Sequence, residues 1–254
     1  MKKTEMWKKA AAVIFWLMIW QAAAILMKNS IVFVGPLEML HSLWEQMSGN
    51  EFWLSVGNTV LKIMGGFLAA FILAVLAAGL AFRWNWFKIL LEPLILLAKS
   101  VPVASFVVLL LILAGSENLS VFIVLLMVFP IIYVNMGQGL EHVDSKMLEM
   151  ARVFGMNPWK QFLYIYRPAF LPFLISGSRV ALGMSWKSGV AAEIIGVPAH
   201  SIGERLYMAK IYLNIDSLFA WTLVIILLSM AFEKLFLWGL KKSGGKVWKG
   251  EIRK

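Results

Sequence analysis

Residues 137–168 read GQGLEHVDSKMLEMARVFGMNPWKQFLYIYRP and separate two long apolar runs. Asp144 or Ser145 can accept the first free amides of a helix starting near Lys146, and Met147, Leu148, Ala151 and Phe154 recur at the spacing of one helical face. Gly155 suits the left-handed residue that ends such a helix. Asn157-Pro158 then opens a second helix, with proline at a tolerated first-turn position and Trp159, Phe162, Leu163 and Tyr166 on one face; Pro168 is expected to stop it. Loops of this length in a compact protein are usually functional. Two short helices hinged at a glycine, with apolar side chains and no lipid to bury them in, read as a docking knob for another protein.

Outward from this loop, six runs are apolar over about 18 residues or more, enough to cross roughly 30 Å of hydrocarbon as helix. They are Ala10 to Met27, Val56 to Phe82, Ile89 to Leu113, Leu119 to Met136, Ala169 to Ile195 and Leu218 to Leu240. The composition agrees: 61% hydrophobic and 15% charged over 254 residues, with mean hydropathy +0.79. Soluble domains have about 45–50% apolar and 25% charged residues. A soluble fold of this length leaves much of its surface facing water, so lipid must cover the excess. The expected architecture is an all-α polytopic membrane protein of about six transmembrane helices.

The first run also fits the apolar part of a signal peptide, with Lys2, Lys3, Lys8 and Lys9 ahead of it and Ala22-Ala23-Ala24 inside it. It continues through Ile25-Leu26-Met27 to spanning length, so a retained span is expected. With the N-terminus inside, the inner segments hold sixteen Lys and Arg, and the outer ones only Lys28, Arg205 and Lys210. Positive charge collects on the cytoplasmic side, so both termini are expected there. This asymmetry accounts for the net charge of +10 without nucleic acid. Between the first two spans, Leu37, Leu40, Leu43, Trp44 and Met47 have helical spacing and predict an amphipathic helix at the outer interface. The expected organisation is an N-terminal span with outer amphipathic segment over 1–55, a core over 56–240 containing the 137–168 loop, and a basic cytoplasmic tail over 241–254.

Several chemistries are excluded. The chain has no cysteine, hence no thiolate metal site, disulfide or Cys nucleophile. His41, His142 and His200 lie in separate loops without carboxylates at ligand spacing, so no metal site is expected. No G-x-x-x-x-G-K-[ST] phosphate cradle occurs, so any ATP is handled elsewhere. A gradient-driven transporter, the remote alternative, would be expected to carry inverted repeats and paired intramembrane acids, and Glu193 and Glu92 are the candidates near spans; for an intramembrane enzyme no Ser/His, Asp/Asp or His/Glu pair falls at matching depth.

Ionisable side chains at membrane depth face a bundle interior or a water-filled path. The fifth run holds Arg179, Lys187 and Glu193, with Gly183 and Trp186 on the side of Lys187. Two readings stand: a cationic, Gly/Ser-lined translocation path for an anionic or strongly polar solute, or Arg179 or Lys187 pairing with Glu193 or backbone carbonyls as a packing feature. Lys62, near an outer edge, is expected to snorkel. Lys99 precedes Ser100-Val101-Pro102, where proline kinks or breaks the third span.

The run Glu149-Met150-Ala151, with Gly155 four residues beyond Ala151, then Ile165 and Pro168, resembles the E-A-A-x3-G-x9-I-x-L-P motif of ABC importer membrane subunits. Met150 stands for the first Ala and Arg167 for the Leu. Asp144, Pro172, Gly177-Ser178-Arg179, Ala181 to Trp186 and Val190 to Glu193 are similar to the permeases of the taurine, aliphatic sulfonate and nitrate importers, a group that includes carriers of thiamine-pyrimidine precursors. Pro36-Leu37-Glu38, Gly65-Gly66-Phe67 and Ser100-Val101-Pro102 extend the likeness, which covers roughly Pro36 to Phe236. The resemblance implies a type I ABC importer transmembrane domain. It implies a channel formed with a second copy, two cytoplasmic ATPase subunits that hold ATP and Mg, and an extracytoplasmic solute-binding protein. Met147, Glu149, Met150, Ala151, Gly155, Asn157 and Pro158 would couple to the ATPase.

Overall fold

The computed structural model describes residues 2–27 and 33–243; the outermost part of the expected basic tail, from residue 244, and Lys28 lie outside the described residues. The described residues are helical, with no strand among them. The helices are α1 (Lys2–Met27), α2 (Pro36–Met47), α3 (Asn50–Arg83), α4 (Asn85–Ser100), α5 (Val103–Ala114), α6 (Leu119–Glu141), α7 (Ser145–Val153), α8 (Pro158–Gln161), α9 (Arg167–Gly196), α10 (Ile202–Ile211) and α11 (Ile215–Ser243). A π-helical turn, Phe162–Tyr166, joins α8 to α9.

Four of the six expected spans are single helices long and apolar enough to cross a membrane: α1 from Ala10, α3, α6 and α11 to Lys242. The third is α4 and α5 together, bent by 106°. Proline decides that bend. Val101 precedes it and is pushed into an extended conformation at φ −78°, ψ 132°, so α4 ends at Ser100 and α5 restarts beyond Pro102. The fifth run forms α9, whose 30 residues reach about 45 Å at 1.5 Å per residue. It is a continuous helix too polar to be recognised as a span by composition.

The chain divides into two compact units, each with its own packing. One comprises residues 1–59 and 197–227, the other 60–196 and 228–254. In the first, the amphipathic α2 forms as expected. Pro36 takes the first turn, and Glu38 reaches back to accept from the Gly35 amide at 3.1 Å. Trp20 of α1 donates its indole N–H to the Val34 carbonyl at 3.0 Å and lies beside Phe219 of α11. Helix α10 is held on α3 by polar contacts: Ile202 N–H to Thr59 Oγ1 at 2.9 Å, and Arg205 to Glu51.

In the second unit, α6 and α9 run antiparallel and touch through glycines. A Cβ on Gly139 would come 2.6 Å from the Phe170 Cα, and one on Gly177 would fall 2.6 Å from the Asn135 side chain. Farther along, Gly189 faces Val124 and Ile63, and Gly196 faces Leu119. Small residues admit such close approach where lipid on all sides provides no hydrophobic drive. Around these contacts Ile123, Val124, Val128 and Ile132 of α6 and Ala181, Leu182 and Ala192 of α9 are almost completely buried. Gly139→Ala, whose added methyl meets backbone, should lower the melting temperature of the purified chain, since overpacking costs typically about 1–3 kcal/mol. Gly183→Ala, with nothing within 4 Å of the new carbon, should leave it unchanged; equal melting of the two variants would contradict the packing described.

Candidate functional site

The loop between α6 and α9 is built as its residues suggest. Asp144 caps α7 by accepting from the Lys146 amide at 2.9 Å. Gly155 takes φ +59°; its N–H donates to the Arg152 carbonyl at 3.0 Å, and the Met156 N–H to Ala151 at 2.8 Å. These two bonds define a Schellman end, which needs a residue that tolerates the left-handed region. Asn157 caps the next turn by accepting from Trp159 N–H at 3.0 Å, and Pro158 occupies its first position. Pro168 does not stop the second helix. The Arg167 N–H donates to the Phe162 carbonyl, five residues back, and this wider π turn makes room for the proline ring as α8 runs on into α9.

The expected apolar stripe of α7 is divided between two surroundings. Ala151 is fully buried and Leu148 half-buried against the chain's own body. Met147 and Met150 are about half exposed at 51% and 49%, while Val153 and Phe154 are 83% and 79% exposed. Glu149, Gly155, Asn157 and Pro158 are exposed as well. Met150 therefore has room for its extra bulk, because about half of its surface is left uncovered by its own chain.

On α9 the five residues expected near a path separate. Ser176, Arg179, Met184, Lys187 and Ala191 are exposed along one stripe, which Gly183 joins half-buried. Trp186 and Glu193 are buried, at 2% and 0% exposure. At about 100° per residue Trp186 falls about 20° and Glu193 about 40° from Arg179 on the side away from Lys187. That small rotation carries both across the boundary into the packed face. Arg179 pairs with Glu233 of α11, Nε to Oε1 at 3.6 Å, so its ionic partner is not Glu193. Lys187 makes no ion pair or hydrogen bond among the described residues.

Reading the sequence missed the partners of the outlying cations. Lys62 does more than snorkel: its ammonium meets Glu117, in the α5–α6 turn, at 3.0 Å. Lys88 meets Glu141, at the end of α6, at 2.6 Å. Both pairs join residues more than fifty positions apart, and no local spacing signals them. Among the described residues no group of His, Asp and Glu could hold a metal.

A family profile, the binding-protein-dependent transport system inner membrane component, matches residues 66–238. The chain belongs to that family. Its members are membrane components of ABC transporters and are not enzymes. The chain is 25% identical over 201 residues to a putative aliphatic sulfonates transport permease protein of Escherichia coli, covering 78% of this chain and 76% of the relative. It is 23% identical over 249 residues to the taurine transport system permease protein of the same species, covering 93% and 88%. A solved amino acid ABC transporter with histidines shares the fold, with TM-score 0.55 over 84% of this chain and 99% of that one at 17% identity.

The exposed Arg179–Glu233 pair makes a direct stability test. Its side chains are 60% and 36% exposed, and open ion pairs contribute about 0–1 kcal/mol. Arg179→Gln should therefore leave the melting temperature of the purified chain almost unchanged. A large fall would mean that Arg179 is a packing residue.

Proposed function

We propose that this chain forms half of the translocation channel of an ATP-driven importer, pairing with a second copy and working with two cytoplasmic ATPase subunits and an extracytoplasmic solute-binding protein. ATP and Mg are handled on the ATPase partner. The observation that carries this reading is α7: a short helix capped at both ends, standing beside the end of a span, with Met147, Met150, Val153 and Phe154 turned away from their own chain. Such a surface fits a groove in a soluble partner. Glu149 and the rigid Schellman turn at Gly155 orient it, while Asn157 and Pro158 start the segment that returns the force to α9. The organisation read from sequence, with a core over 56–240 carrying this loop, follows from the same assignment.

In this reading the solute is a small anion of the sulfonate class. The exposed α9 stripe has Lys187, which makes no ion pair or hydrogen bond among the described residues, Arg179 paired with Glu233, and the small residues Ser176 and Gly183. Positive charge lining a water-filled cleft with low-dielectric walls focuses the field and raises the local concentration of an anion. The solutes named for the two Escherichia coli relatives, aliphatic sulfonates and taurine, fall in the same chemical class. Trp186 and Glu193 then support the stripe from behind.

Gly155→Val forces a β-branched residue into the left-handed region, at a cost of about 1–2 kcal/mol. In the reconstituted complex, solute-stimulated ATP hydrolysis should fall on the order of tenfold, the factor that about 1.4 kcal/mol represents. The chain should stay in the membrane. Undiminished coupling would refute the role of α7. Lys187→Met should likewise lower sulfonate uptake several-fold at an unchanged melting temperature, and normal uptake would remove the anion assignment.

Both termini and α7 are assigned to the cytoplasm from the distribution of Lys and Arg. A single cysteine replacing Lys160 should resist an impermeant thiol reagent in intact cells, and one replacing Tyr212, at the α10–α11 turn, should react. The reverse pattern would invert the topology.

A further inference from the structure

We propose that the cavity at the α3–α4 turn binds the phosphodiester headgroup of an anionic phospholipid. The cavity holds about 470 Å³ and is lined by Arg83 from the end of α3, Asn85 and Lys88 from the start of α4, and Tyr133, Gln138 and Glu141 from α6. That volume lies within the roughly 300–1,000 Å³ of small-ligand sites. No α9 residue lines it, so it is separate from the stripe assigned to the solute.

Charge selects the ligand. Lys88 is neutralised by Glu141 at 2.6 Å. The Arg83 guanidinium makes no hydrogen bond or ion pair among the described residues. Among the side chains that line the cavity, two cations stand against one carboxylate, and Glu92, a helical turn beyond Lys88, lies outside the lining; the lining therefore offers Arg83 as a positive charge for the single negative charge of a phosphodiester. Arginine presents paired donors that suit phosphate oxygens. Asn85, Tyr133 and Gln138 add uncharged hydrogen-bonding groups of the kind that glycerol hydroxyls require.

Position selects the source. Trp84 and Trp86 in the same turn are 47% and 63% exposed, and such aromatic side chains sit at headgroup depth. Beside them Phe82, Ile89 and Leu90 present apolar surface, at 46%, 60% and 57% exposure. A lipid with its headgroup in the cavity lays its acyl chains over these side chains. A free phosphate makes no use of them. The inference concerns the chain alone and does not depend on how α7 docks.

The test is lipid retention by the purified full-length chain from bilayers of equimolar phosphatidylcholine and phosphatidylglycerol, read by native mass spectrometry. Phosphatidylglycerol should be enriched about tenfold among retained lipids. Arg83→Gln should abolish the enrichment at an unchanged melting temperature, Arg83→Lys should keep part of it, and Lys242→Gln, a cation lying over Trp238, should keep all of it. Equal retention of the two lipids, or wild-type enrichment in Arg83→Gln, would overturn the site. Should Arg83→Gln fail to fold, the same comparison is read between Arg83→Lys and wild type, where loss of preference in neither would overturn it. Millimolar inorganic phosphate or glycerol 3-phosphate should not displace the bound lipid; displacement by either would overturn the lipid as the occupant.

Discussion

The close antiparallel contact of α6 and α9 is the constraint on which the second unit depends. In lipid, helices gain little from burying apolar side chains against one another, since the hydrocarbon around them is equally apolar. Close approach and dispersion must supply the adhesion, and both fall steeply with distance. Gly139, Gly177, Gly189 and Gly196 supply it at four levels along α9 and α6, down to 2.6 Å between a notional Cβ and the Phe170 backbone. The loop carrying α7 joins these same two helices, so the proposed docking knob is mounted on a closely packed pair.

That mounting gives the π turn its meaning. A second helix stopped at Pro168 would leave α7 and α8 on a loose tether. The turn over Phe162–Tyr166 instead makes α8, the turn and α9 a continuous helical path. In the proposed importer, a force applied at α7 would pass through the Gly155 cap and the Asn157–Pro158 start into the helix that bears Arg179 and Lys187. The proposed coupling surface and the proposed solute stripe are thus parts of one element and its cap.

Much of the loop was legible because its signals are local. Asp144, Gly155, Asn157 and Pro158 act through hydrogen bonds and dihedral preferences within a few residues, and each took the role its type and spacing indicated. The break at Pro102 was legible for the same reason, although its size, 106°, was not. The continuation through Pro168 was misread: a proline ends a helix only when the turn before it is an ordinary α turn.

By itself the sequence determined that the protein lives in lipid, where four of its spans and the broken α4–α5 pair lie, that a capped helix stands between α6 and α9, and that it has neither a phosphate cradle nor a thiolate site. These follow from composition, run length and short-range stereochemistry. Only the tertiary structure decided that Trp186 and Glu193 leave the stripe of Lys187, that Arg179 turns to Glu233, that Lys62 and Lys88 find Glu117 and Glu141, and that Arg83 faces a cavity. Each depends on helix rotations of a few tens of degrees and on neighbours fifty or more residues away. Helical periodicity is too coarse to fix such a rotation; it is set when the glycines of α9 meet the side chains of α6.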